Sequence, residues 1–133
     1  MKRIFILLVS VLFLSACATL PELRVRNRES LTRLSVGMAK DEVLKIMGTK
    51  TTKAYRGWDG GFVDVINNPY RSEVLQGKDK TLEVLYYYTD KKKADDAITD
   101  DELTPLVFDN GKLIGWGWSF LQENIQKYEI RWR

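Results

Sequence analysis

The tripeptide Asp109-Asn110-Gly111 lies between two apolar runs, Leu103–Phe108 and Lys112–Phe120, and most constrains the fold. A two-residue Asn-Gly loop accepts the positive φ values that a tight hairpin turn demands at both central positions, and few other pairs do. It therefore predicts an antiparallel hairpin whose register can be counted outward. Asp109 faces Lys112, Phe108 faces Leu113, Val107 faces Ile114, Pro105 faces Trp116 and Leu103 faces Trp118. Trp116 and Trp118 then share one strand face as core, while Gly115 and Gly117 leave the other face bare enough for a helix or a second backbone to approach. Both faces of such a hairpin need cover, more than one helical hairpin supplies.

Upstream, Leu82–Thr89 is the strongest strand, rich in tyrosine and branched residues. Thr51–Tyr55 and Phe62–Ile66 read as shorter strands around a Trp58-Asp59-Gly60-Gly61 turn. Residues 67–80 read as mostly loop, and Lys91–Lys93 with Asp95–Glu102 as a charged surface loop. Before the strands come two short helical patterns. Asn27 is read as the cap of a helix over 28–34 bearing Leu31 and Leu34. A second helix runs over Ala39–Met47, with Val43, Leu44, Ile46 and Met47 as its apolar stripe. Asp41 and Glu42 suit its positive end, and Gly48 suits the position after its last turn. Gly37 between the two patterns is expected to hold positive φ or a tight backbone contact. Leu121–Arg133 is either a short helix or an extended tail. The fold class expected is α+β: an N-terminal helical hairpin packed on a three- or four-stranded antiparallel sheet, as a single domain over 27–133.

The chain opens differently. Met1-Lys2-Arg3 is positive, Ile4–Leu14 is apolar except at Ser10, and Leu14-Ser15-Ala16-Cys17 follows. Eleven apolar residues suit a signal-peptide core and are too few to span a bilayer. The tetrapeptide resembles the lipobox of bacterial lipoproteins, which implies cleavage before Cys17 and acylation of its thiol. Residues 1–16 are then a lipoprotein signal peptide, and 17–26 a lipidated tether in which Arg24 and Arg26 are read as solvated, with contact to anionic headgroups as the alternative. Removing 16 of 133 residues leaves 117. The lone cysteine is spent on lipid, so the expected domain has no internal disulfide and relies on packing. Losing Lys2 and Arg3 takes the basic residues from 21 to 19 against 18 acidic ones, a mature charge of +1. That near-balance gives no argument for nucleic acid. Ala18 in place of aspartate implies, by the same resemblance, sorting to the outer membrane on its periplasmic side.

Catalytic chemistry finds little purchase. There is no histidine, which removes the usual general base and the commonest zinc ligand. No glycine pattern suits a phosphate loop, and Asp95–Glu102 lacks the alternating ligands of a calcium loop. Nothing selects a carboxylate pair among the acids for sugar cleavage. No enzyme activity, cofactor or metal is expected.

Leu34-Ser35-Val36-Gly37-Met38, then Glu42-Val43 and Met47-Gly48, resembles the helical signature of BamE and OmlA-like outer-membrane lipoproteins, as a sister group more than BamE itself. Ala39 stands where that family often has a serine or threonine cap, and Lys50 where proline is common. The resemblance implies a helical hairpin, a small antiparallel sheet and a role without catalysis: binding another envelope protein to support its assembly or stability. The alternatives are inhibition of an envelope enzyme, or a carboxylate-dependent cell-wall glycosidase. Residues 57–75 carry aromatics without core periodicity, so Trp58, Phe62 and Tyr70 are the expected partner-binding residues.

Overall fold

The computed structural model describes residues 20–56, 62–93, 95 and 97–131, leaving out the side chains of 54–56 and 62–64. The signal peptide, Cys17 and Trp58 lie outside the described residues. The fold is α+β. Among the described residues, three α-helices, α1 (Leu20–Leu31), α2 (Lys40–Met47) and α3 (Trp118–Lys127), accompany six strands. Strands β1 (Thr52–Arg56) and β2 (Phe62–Ile66) form a two-stranded hairpin. Strands β3 (Arg71–Gln76), β4 (Thr81–Tyr88), β5 (Leu103–Asp109) and β6 (Lys112–Trp116) form a four-stranded antiparallel meander in that order.

The alternation along β4 explains the two-sided core. Leu82, Val84, Tyr86 and Tyr88 face one way, with Leu103 and Val107 of β5, and pack with Leu23 of α1 and Leu121 of α3. Leu85 and Tyr87 face the other way, with Leu106, Phe108 and Leu113, and pack under Val43 and Met47 of α2. Successive residues of a strand point to opposite faces, so an almost continuous apolar run is what a strand covered on both faces requires.

The helices are distributed differently from the expected hairpin on one face. Helix α2 covers the Leu85–Tyr87 face, joined there by Leu31 at the end of α1 and by Leu34, whereas α3 covers the other. Helix α1 passes across the end of β4: Asn27 Nδ2 donates to the Tyr88 carbonyl at 2.8 Å, and Arg28 donates to that of Thr89. Asn27 is thus no cap. It is fully buried in mid-helix and exchanges two amide hydrogen bonds of 3.1 Å with Asn68, whose Nδ2 also reaches the Met47 carbonyl at 3.0 Å. Each buried amide is satisfied, as burial requires. The stretch read as a tether is helical from Leu20, and Leu23 within it is fully buried. An apolar side chain with a core to enter overrides the polar composition around it.

The Asn-Gly turn forms as expected, with φ of 49° at Asn110 and 73° at Gly111. Asp109 faces Lys112 and Phe108 faces Leu113, but a bulge follows, so that Val107 faces Gly115 and Leu106 faces Trp116. The extra residue is Ile114, and it shifts everything beyond it to the opposite face. Gly117, at φ 93°, ends the strand, and Trp118 opens α3. The two tryptophans therefore do not share a face. Trp116 packs on the α2 side. Trp118 packs on the α3 side, 5.7 Å from the Tyr86 ring, its indole N–H donating to the Leu103 carbonyl at 2.8 Å. Gly115 admits a helix as foreseen: a Cβ there would lie 2.6 Å from the Phe120 ring of α3.

Candidate functional site

An antiparallel sheet of four strands has two outer edges, each a row of backbone donors and acceptors. At β6 that row is occupied along Gly111–Leu113. Gly37 N–H donates to the Leu113 carbonyl at 2.7 Å, Leu113 N–H to that of Met38 at 2.9 Å, and Lys40 N–H to that of Gly111 at 2.9 Å. Ala39 bridges Lys112 in antiparallel fashion. The segment Gly37–Lys40 thus lies on β6 as a short cover strand before turning into α2. Gly37 makes this approach at φ 93°.

At β3 the row is open: no strand among the described residues pairs with its outer side. Gly77 N–H donates to the Lys80 carbonyl at 2.8 Å, which fixes the phase of the β3–β4 ladder. By the alternation of antiparallel pairs, the N–H and C=O of Ser72, Val74 and Gln76 then point away from β4. Those three side chains are exposed, and Val74 keeps 69% of its surface accessible. An open groove of about 1050 Å³ runs along the strand, lined by Glu73–Lys78 on one side and by Glu129 and Arg131 on the other. The tail that forms the second wall is held to the β3–β4 turn, where Lys78 N–H meets the Tyr128 carbonyl at 3.4 Å and Ile130 is buried.

The inward face of β3 is rigid and polar. Arg71 stacks on the Tyr86 ring at 4.2 Å, contacts Asp100 at 2.9 Å and lies 3.1 Å from Glu73 Oε1, an ion contact without hydrogen-bond alignment at Nε. The Tyr86 hydroxyl donates to Glu73 Oε2 at 3.0 Å. Burial, then the Glu73 hydrogen bond, pushes the Tyr86 phenol well above its ordinary value, and burial pushes that of Tyr87 up to about 12. Both phenols are protonated at neutral pH, and both carboxylates of this cluster are engaged with Arg71. The cluster fixes strand position. Nearby, the buried Glu102 carboxylate accepts backbone N–H groups of Lys92 at 2.6 Å and of Lys93 and Thr99 at 3.4 Å, which organises the 90–99 loop. Among the described residues no group of three or more acidic or cysteine side chains is placed to hold a metal ion.

Of the three expected partner-binding residues, the structure describes the side chain of Tyr70 alone. Trp58 lies outside the described residues. Phe62 lies in β2, opposite Arg56, with its side chain outside that set. Tyr70 is partly buried against the α3-side core, its N–H donating to the Tyr86 carbonyl at 2.8 Å. The open edge falls within 67–80, which reads as loop in sequence. Its only buried residue is Leu75, so the strand carries almost no apolar periodicity. A polar strand with one inward leucine is what an edge position permits, and alternation around Leu75 is the one signal that marks it.

A family model described as "Protein of unknown function (DUF3192)" matches residues 20–123. A model described as "Prokaryotic membrane lipoprotein lipid attachment site" matches residues 1–18 and so includes Cys17. No curated protein and no solved structure matches the chain.

Proposed function

The chain belongs to the DUF3192 family and is a lipid-anchored envelope protein, and from that premise we propose that it is a non-catalytic accessory lipoprotein. It binds an extended segment of another envelope protein, which joins the sheet as a fifth strand beside β3. The observation that carries this reading is the row at Ser72, Val74 and Gln76, unpaired among the described residues, beside an open groove, on a sheet whose other edge is covered along Gly111–Leu113. Strand addition uses backbone hydrogen bonds for affinity and alternate side chains for specificity. The groove carries both charge signs, Glu73 and Glu129 against Lys78 and Arg131, which suits a polar segment with one apolar residue to set beside Val74. Kinship of fold with BamE and OmlA-like lipoproteins, as a sister group, belongs to the same reading. It is supported by the Leu34–Met38 turn, by α2 and by the antiparallel sheet that follows. Ala18 supports delivery to the outer membrane.

Lipidation at Cys17 is the first test. Cys17→Ala should abolish incorporation of a fatty-acid analogue and block cleavage of the signal; equal labelling of variant and wild type would remove the anchor from this account. Docking at β3 is tested by Val74→Lys. A lysine on an exposed strand edge discourages a partner strand, and an exposed surface change shifts stability by no more than about 0.5 kcal/mol. The variant should melt with wild type and lose the adducts that wild type gives on crosslinking in native envelopes. Undiminished adducts would move the docking surface elsewhere.

A further inference from the structure

The end of the domain opposite the β3–β4 turn is shaped by its distance from the anchor. Cys17 precedes Leu20 by three residues, so their Cα atoms are at most about 11 Å apart at 3.8 Å per residue. Leu20 is already helical, and Leu23, one turn on, is fully buried in the core. The N-terminus of α1 cannot swing free of the domain, and a lipid on Cys17 holds this end close to the bilayer. Leu20, Pro21 and Arg24 line a concavity of about 390 Å³ with Val65, Tyr70, Tyr88, Lys91, Ala97 and Ile98.

Its chemistry is that of a headgroup layer. Arg24 is held in place: it donates to the Tyr88 hydroxyl at 3.0 Å and lies 5.4 Å above that ring. Lys91 and Lys93 are exposed, and Lys92 is paired with Asp90. Val65 is 58% exposed at the rim. Among the described residues, the acidic group lining the concavity is Asp95, whose carboxylate accepts the Ala97 N–H at 3.2 Å. The 90–99 loop that presents the lysines is held to the domain by the buried Glu102 carboxylate. One held and two exposed cations beside an apolar rim, tethered at the lipid surface, attract anionic headgroups with an energy that falls within a Debye length.

We propose that this concavity, with Arg24, Lys91 and Lys93, seats the domain against anionic phospholipid headgroups and so sets its orientation on the membrane. The proposal rests on the lipid anchor. The β3–β4 turn then stands away from the bilayer by the length of β4, eight residues or about 25 Å at 3.3 Å each, and the open β3 edge rises from the membrane toward it.

The test uses lipidated protein in vesicles of phosphatidylethanolamine and phosphatidylglycerol, 3:1 by the usual order-of-magnitude choice of roughly a quarter anionic lipid. A fluorophore is attached at Ala97→Cys or at Asp79→Cys, and quenching by a headgroup-borne quencher is read. Flotation with the vesicles checks the anchor separately: protein that does not float overturns the anchor and the proposal with it. The expected result is floating protein quenched several-fold more at 97 than at 79. The difference should shrink in pure phosphatidylcholine and with Lys91→Glu plus Lys93→Glu. Floating protein quenched equally at both positions overturns the orientation while sparing the anchor. A difference unaffected by both lipid charge and charge reversal means that the tether alone sets the position, and overturns headgroup recognition.

Discussion

The two edges of the four-stranded sheet are built from the same backbone chemistry and treated in opposite ways. At β6, Gly37–Lys40 donates and accepts along Gly111–Leu113, so the part of the strand next to the turn is covered. At β3, Ser72, Val74 and Gln76 face outward with no partner strand among the described residues. An open edge invites pairing with any extended chain, and proteins generally block it with a charge, a proline or a cover. Here the blocking device exists and is used on one side only. Blocking β6 also serves the fold, because the cover segment delivers α2 onto Leu85, Tyr87 and Leu113. Blocking β3 would serve nothing in the monomer, whose β3 is already held by Leu75 and the Arg71–Tyr86 stack.

The largest effect should come from removing the packing beneath the covered edge. Leu113 is fully buried below α2, and Leu113→Ala should lower stability by about 3 kcal/mol, read in a denaturant melt. A loss under 1 kcal/mol, on the order of a surface change, would mean that α2 and its cover strand are not integral to the fold. Next is Gly37→Val. A Cβ at Gly37 meets nothing within 4 Å, so the penalty comes from the φ of 93° alone. The expected loss is about 2 kcal/mol, and a melt that overlays wild type would place this turn in another conformation.

A finer cut separates the cover from the helix. Lys40 is the first residue of α2, where proline is tolerated, and Ala39 before it is extended at ψ 147° as proline requires. Lys40→Pro therefore deletes the hydrogen bond to the Gly111 carbonyl and the ion pair with Glu83 while sparing the helix. Stability should fall by about 1 kcal/mol, and the Leu113 amide should exchange faster than in wild type. Unchanged exchange would show that the cover holds without that bond. The smallest effect on stability is expected at the other edge, from the Val74→Lys variant already described, which makes it the cleanest contrast with Gly37→Val. Each edge then reports one quantity: β6 stability and β3 capture.

Much of this contrast was legible in the residues themselves. Asn110-Gly111 determined a hairpin and its first two pairs, because few side chains tolerate positive φ twice in succession. Gly37 announced a backbone demand between two helical patterns, and Leu82–Thr89 announced the strongest strand through its tyrosines and branched residues. The segment up to Cys17 determined the anchor, since charge, apolar length and a thiol are local properties that a linear chain can carry. Tertiary structure alone decided the rest. The bulge at Ile114 moves Trp116 to the α2 side, and the end of the strand at Gly117 lets Trp118 open α3 on the other, so their placement depends on how β6 meets the helix after it. Asn27 has the side chain of a cap yet serves as a buried clamp to Asn68, 41 positions away. The open edge at β3 is the extreme case: openness depends on which strands stand beside it, and pairing across the sheet is a relation between segments that no window of the chain contains.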